Sequence, residues 1–116
     1  MTRDVPSRGE VWVAYLDPGI GHEQTGRRPV LVVSDDAFNH GASELVVTVP
    51  LTSRLREISD RVRITPPEGG LRRESDILCS QIRTLSRQRL RERRGRVSDA
   101  TFAAVMQRIA WILGIP

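Results

Sequence analysis

Five short strand-forming stretches followed by one amphipathic helix predict a mainly β protein with a C-terminal helix, its sheet curled into a small barrel-like form. Three observations carry this reading. Apolar runs rich in Val and Ile recur at short spacing, broken by Gly and Pro. A helical period occurs only at the end of the chain, and helices do not alternate with strands, which argues against a parallel βαβ sheet. The 116 residues match the size of one domain, and residues 1–116 read as a single unit without repeat or linker.

The first strand spans Glu10–Leu16 (EVWVAYL) and is stopped by Asp17-Pro18-Gly19. A loop through Gly21 and Gly26 leads to Arg28–Asp35 (RPVLVVSD), whose unbroken apolar run implies burial on both faces. Pro29 has no N–H to give a ladder, so it belongs among the strand's first residues or on an edge. Asn39-His40-Gly41 marks a turn. Glu44–Thr52 (ELVVTVPLT) is the third strand, with Pro50 as a bulge or edge break. Arg61–Ile64 is a short fourth, closed by Pro66-Pro67-Glu68-Gly69-Gly70, and Asp76–Ile82 (DILCSQI) is the fifth. Ser98 then caps a helix in which Phe102, Val105, Ile109 and Ile112 fall on one face, with Gly114 and Pro116 as stop signals.

Composition narrows the function classes. With 39% hydrophobic and 28% charged residues, the chain is an ordinary globular one rather than a disordered one. No stretch approaches the roughly 18 apolar residues of a membrane span, and the N-terminus leads into no apolar signal segment, so cytoplasmic residence is expected. Cys79 is the only cysteine, which excludes an intrachain disulfide and a thiolate-based zinc site of the usual kind. All 18 basic residues are arginine. Residues 1–53 hold four of them against seven acids, whereas residues 54–96 hold thirteen against six. A basic second half implies a polyanionic partner, and the planar guanidinium fork suits phosphate. No basic amphipathic helix accompanies it, so no membrane partner is expected.

The most unusual segment is Gly19-Ile20-Gly21-His22-Glu23-Gln24-Thr25-Gly26-Arg27-Arg28-Pro29. It sets His, Glu and two Arg on a glycine-rich loop, the residue types that phosphoryl chemistry uses. Its glycines follow neither nucleotide-cradling spacing, and no helix follows, so the alternative is a polar hairpin loop.

Six segments in family order make the chain resemble the MazF/PemK family of toxin endoribonucleases from bacterial toxin–antitoxin pairs. They are Arg8-Gly9-Glu10-Val11-Trp12, Leu16-Asp17-Pro18 with Gly21-His22-Glu23-Gln24, Arg28-Pro29-Val30-Leu31-Val32-Val33-Ser34, Val49-Pro50-Leu51-Thr52-Ser53, Gly70-Leu71-Arg72, and Cys79-Ser80-Gln81-Ile82-Arg83-Thr84. The resemblance implies an SH3-like barrel, a homodimer, and metal-independent, sequence-specific cleavage of single-stranded RNA, with no cofactor. Family members attack the adjacent phosphate with the ribose 2′-hydroxyl, leaving a 2′,3′-cyclic phosphate and a 5′-hydroxyl. An internal nucleophile needs no metal-activated water, and the 2′-hydroxyl explains RNA over DNA.

The reaction needs a stabiliser for the phosphorane oxygens, a base for the 2′-proton and an acid for the leaving 5′-oxygen. Arg28 matches the family's catalytic arginine before proline and fits the first task. The alternative for it is a strand-start arginine paired to Asp17 or Asp35. Thr52 matches the active-site threonine, able to hold a phosphate oxygen or relay a proton; its alternative is capping its own backbone. Glu23 matches the loop glutamate and would serve as base. His22, Gln24, Arg27, Ser53, Gln81 and Arg83 are assigned to substrate binding around this centre. One departure is plain: the PemK-like branch carries an Arg and an Asp on its fifth strand where this chain has Leu78 and Ser80. That acid–base pair does not transfer. Cys79 between them reads as a packed apolar residue.

Arg87–Arg96 holds six arginines in ten residues and reads as a solvated connector before the helix, or as a contact to RNA phosphates. Trp12, Tyr15 and Trp111 could stack bases or fill core and dimer contacts. The implied partners are a MazE-like antitoxin with an acidic, disordered tail that folds on binding, and operator DNA only through that antitoxin. A competing reading is a gyrase poison of the CcdB type, which shares the fold and cleaves nothing. That type depends on a C-terminal Trp-Gly-Ile, and Trp111-Ile112-Leu113-Gly114-Ile115-Pro116 echoes it with the wrong spacing. An inert nucleic-acid-binding barrel is the third option.

Overall fold

A computed structural model describes residues 5–16, 21–24 and 26–116. The expected strand stop at Asp17-Pro18-Gly19 and the loop positions Ile20 and Thr25 lie outside the described residues. Seven strands and two helices follow in order: β1 (Glu10–Tyr15), β2 (Arg27–Val32), α1 (Asp36–Asn39), β3 (Leu45–Thr52), β4 (Arg61–Ile64), β5 (Ser75–Leu78), β6 (Arg83–Ser86), β7 (Leu90–Arg96) and α2 (Asp99–Leu113). Every pairing is antiparallel. The sheet runs β4-β5-β3-β2-β1-β7, with β6 also on β3, and does not close into a full barrel.

Alternation sends the central strands to two apolar clusters. Val11, Leu31, Val49 and Leu51 join one, with Ile64, Ile77, Val97, and Val105 and Ile109 of α2. Their neighbours Trp12, Ala14, Val30, Val32 and Val46 join the other, with Leu85 and Leu90. The sheet is buried on both faces, as the apolar run of β2 required. Pro29 sits opposite Val13 of β1, one residue before the β2–β3 pairing begins at Val30. The helix starts where expected, the Ser98 hydroxyl accepting from the Thr101 amide at 3.1 Å, and stops at Gly114 in the left-handed conformation.

β3 organises the rest. One edge pairs β2; the other pairs β6 at Leu45–Thr48 and β5 at Leu51–Thr52. Val49 and Pro50 fall between the two partners on that edge. Pro50 therefore marks an edge break, the point where a residue lacking an N–H does least harm.

Three expectations are corrected here. The stretch Asp76–Ile82 is not one strand: β5 ends at Leu78, the Gln81 amide donates back to the Leu78 carbonyl at 3.0 Å, and β6 begins at Arg83. Arg87–Arg96 is not a connector. Residues 87–89 form one 3-10 turn, and Leu90–Arg96 is β7, paired along β1. β7 lies at the edge of the sheet, and arginines on an edge strand keep it from pairing with other chains, so its apolar alternation is weak. The four-residue α1 also went unread; Asp35 caps it, its carboxylate accepting from the Ala37 amide at 2.9 Å.

The turn at 68–70 crosses β7 at backbone contact. A Cβ on Gly70 would stand 1.9 Å from the Arg94 carbonyl oxygen, and Gly70 has a φ of 68°. Gly70→Ala should therefore lower Tm by about 10 °C or more, from clash and left-handed strain together. Gly21 has a φ of 63° but open space around it, so Gly21→Ala should cost only about 1 kcal/mol. Equal shifts for the two variants in thermal unfolding would refute the close crossing.

Candidate functional site

The site grows out of the division on β3. Where β5 and β6 part, the turn around Ser80–Ile82 moves away from Pro50 and leaves a cleft of about 450 Å³. Val30, Thr48 and Pro50 line it from the sheet, Ser80, Gln81 and Arg83 from the turn, and Glu23 and Gln24 from the β1–β2 loop. Gln81 fastens that loop at two points, its Oε1 accepting from the Gln24 amide at 3.1 Å and its Nε2 donating to the His22 carbonyl at 3.4 Å. Arg83 donates to the Leu16 carbonyl at 2.6 Å, and its own carbonyl accepts from the Thr48 hydroxyl at 3.0 Å. Gln81 and Arg83, assigned to substrate binding, are thus engaged in holding the loop whose Glu23 lies between the two fastened residues.

The β2–β3 pairing runs from Val32 opposite Thr48 to Val30 opposite Pro50, and Arg28 and Thr52 each lie two residues beyond that last pair. Thr52 is buried, and its Oγ1 accepts from the Arg54 amide at 3.2 Å, the capping habit of a strand-end threonine. Arg28 is exposed and lines a smaller cleft of about 230 Å³ with Ser53, Arg72, Arg73 and Arg94. Asp35, one proposed partner for Arg28, pairs instead with Arg8 at 3.6 Å; Asp17 lies outside the described residues.

The predicted residues therefore distribute over two clefts. Glu23, Gln24, Gln81 and Arg83 share the large one and Arg28 and Ser53 the small one, while Thr52 lines neither. His22 and Arg27 line neither; Arg27 pairs with Glu92 at 3.4 Å. Leu78 is buried, while Ser80 is exposed in the large cleft. Cys79 is fully buried, and burial raises its thiol to about 11, so it is no thiolate nucleophile near neutrality. Trp12 is buried with its indole N–H donated to Glu10 at 3.1 Å and cannot stack a base, whereas Tyr15 and Trp111 are exposed.

Sequence reasoning missed Asp76. It lies opposite Thr52 on one side and Arg63 on the other, so Thr52, Asp76 and Arg63 form a row across three strands. Its buried carboxylate accepts from Arg63 Nε at 2.9 Å, the Arg56 amide at 2.9 Å and Arg61 at 3.1 Å. Burial alone would raise its pKa, but the bonds from Arg63, the Arg56 amide and Arg61 outweigh it and hold the group below the usual carboxylate range. The available signal was an acid inside an apolar strand, which needs a partner when buried. Asp76 thereby anchors the loop that leaves Thr52.

The family of PemK-like, MazF-like toxins of type II toxin–antitoxin systems matches residues 7–113. This chain belongs to it. The chain is 38% identical over 108 residues to endoribonuclease PemK of Escherichia coli, covering 91% of this chain and 80% of that protein. MazF from Deinococcus radiodurans superposes with a TM-score of 0.86 at 30% identity, covering 97% of this chain and 99% of that one. An endoribonuclease in complex with its cognate antitoxin from Mycobacterial species gives 0.80 at 31% identity, over 96% and 97%. In this PemK/MazF-like toxin the row through Asp76 adds an ionic anchor beside the positions its motifs mark.

Because the Asp76 pKa is lowered by folding, its contribution is full above the unfolded carboxylate value of about 3.9 and is lost as pH falls through the lower folded value. Asp76→Asn should cost about 1–3 kcal/mol near neutrality in urea unfolding, and the gap to wild type should close in acid. A gap that persists unchanged well below about pH 3 would remove the ionic anchor as its cause.

Proposed function

We propose that this endoribonuclease toxin cleaves single-stranded RNA at a short sequence, without a metal ion, by attack of the ribose 2′-hydroxyl on the adjacent phosphate. The products are a 2′,3′-cyclic phosphate and a 5′-hydroxyl end. What supports the reading is the family match over residues 7–113, which includes Arg28 and Thr52, together with a cleft lined by Glu23 on a loop that Gln81 fastens.

Arg28 supplies the charge that the phosphorane oxygens need; a preorganised donor of that kind is worth about 10²–10³ in rate. Its guanidinium N–H groups can also donate to the leaving 5′-oxygen. The Thr52 hydroxyl accepts from the Arg54 amide and can still donate its own hydrogen to a phosphate oxygen. Glu23 takes the 2′-proton, on a loop that Gln81 fastens on both sides of it. His22, Gln24, Arg27, Ser53, Gln81 and Arg83 surround these groups and serve substrate binding, Gln81 and Arg83 in part by holding the loop. The nucleophile belongs to the substrate, so neither a metal-bound water nor a cofactor is required.

The protein works in the cytoplasm as one domain over residues 1–116. Its partners are the RNA substrate, a second copy of itself and a MazE-like antitoxin, with operator DNA reached only through that antitoxin. A homodimer is supported by Trp111, Leu113 and Ile115, which expose more than half of their surface at the end of α2. An acidic antitoxin tail suits the arginine-rich half of the chain, and the mycobacterial structural relative was itself solved with its cognate antitoxin.

Purified protein incubated with a long single-stranded RNA in EDTA should give discrete cuts with cyclic-phosphate ends. Arg28→Ala should abolish them with Tm unchanged, because the side chain is exposed. Glu23→Gln should slow the single-turnover step by about 10²–10⁴ with little effect on RNA binding. RNA left intact across several sequences, or full activity in Arg28→Ala, would overturn this mechanism.

A further inference from the structure

The pairing of β7 with β1 slips twice, at Arg94 and at Arg91, and the first slip bears on a cleft. Val11 lies opposite Gly95 and Trp12 opposite Arg93, which leaves Arg94 without a counterpart on β1. A bulge of this kind takes one side chain out of strict alternation and re-aims it. Its position is fixed from outside the ladder: Gly70 and Gly95 lie at backbone contact, where a Cβ on Gly95 would stand 2.7 Å from the Gly70 amide nitrogen. The consequence is that Arg94 lines the 230 Å³ cleft together with Arg28, Arg72 and Arg73.

Among the described residues, four arginines line this cleft and no carboxylate does. Arg72 and Arg73 are exposed and make no ion pair among the described residues. Arg94 has Glu92 at 3.6 Å, a half-exposed carboxylate at the rim of the strand. Gathering like charges into one concavity opposes folding unless an anion joins them. At about 230 Å³ the cleft has room for a phosphate group, and its charge selects an anion. Guanidinium forks match phosphate oxygens in both charge and geometry.

We propose that this cleft binds one backbone phosphate of the RNA, adjacent to the scissile one, and that the β7 bulge exists to deliver Arg94 to it. Resting on the endoribonuclease reading, this gives Arg28 to the scissile phosphate and Arg72, Arg73 and Arg94 to its neighbour. The large cleft on the other side of Arg28 is left for a base.

The test titrates the full chain with a fluorescent 2′-O-methyl oligonucleotide, whose blocked 2′-oxygen allows binding without cleavage, over a range of salt. Arg94→Gln should weaken binding about 5–10-fold for every sequence and lower the salt slope by about 0.7, the share of one single-strand phosphate contact. Arg94→Lys should restore the slope, and in cleavage of ordinary RNA the loss should fall on KM more than on kcat. Arg73→Gln should act in the same direction, which guards against a folding defect peculiar to the bulge. Wild-type affinity and slope in Arg94→Gln, with wild-type protein cutting RNA, would overturn this inference alone. So would a variant that loses only its affinity for an acidic antitoxin peptide. A wild-type protein that neither binds nor cuts RNA would overturn the endoribonuclease reading and this site with it.

Discussion

Strand β3 gives one edge to β2 and divides the other between β6 and β5, and the geometry of the site follows from that division. A strand shared in this way must carry a stretch with no partner, and backbone groups without partners are costly when buried. Pro50 reduces the cost because it has no N–H to leave unmet. The parting of β5 and β6 then turns the chain between Leu78 and Gln81, which opens the large cleft and lets Gln81 and Arg83 reach back to the β1–β2 loop. The same strand sets Thr52 opposite Asp76. Loop position, cleft and the Thr52–Asp76 pairing are thus consequences of a single shared strand.

Electrostatics sorts the arginines into two kinds. Arg61 and Arg63 are tied to the buried Asp76, and Arg93 to the buried Glu10, at 3.2 Å or less. These pairs fix backbone as well as charge: Asp76 also binds the Arg56 amide, and Glu10 the Ser7 amide and the Trp12 indole. A buried carboxylate satisfied in this way specifies a conformation more than it adds net stability. Arg28, Arg72, Arg73 and Arg94 line a cleft to which no acid among the described residues contributes. The excess positive charge of residues 54–96 is therefore not spread evenly over the surface but partitioned between structural pairs and an open anion-facing concavity.

Local signals predicted the elements that depend on local physics. The Ser98 cap, the spacing of Phe102, Val105, Ile109 and Ile112, and the Gly114 stop gave α2 nearly residue by residue, because capping and amphipathic period are properties of contiguous sequence. The run Val30–Val33 gave a strand buried on both faces, and Pro50 an edge break, for equally local reasons. β7 was illegible because an edge strand needs little apolar alternation, and its six-arginine stretch looks like solvated loop until β1 supplies a partner. The end of β5 at Leu78 was hidden because DILCSQI is apolar enough to continue; only the exchange of partners on β3 stops it.

The site divides in the same way. The residue types for phosphoryl chemistry, the arginine surplus and the family motifs were fixed by the sequence itself, so Arg28, Thr52 and Glu23 could be named without coordinates. Which residues meet was decided by pairing at long range. Asp76 became an anchor only when β4 set Arg63 opposite it, and Arg94 became part of a cleft only when a bulge on β7 was held by Gly70. Sequence alone determined the chemistry available to this protein, because side-chain chemistry is local. Tertiary structure alone decided how the charges are grouped, because register and strand exchange join residues far apart in the chain.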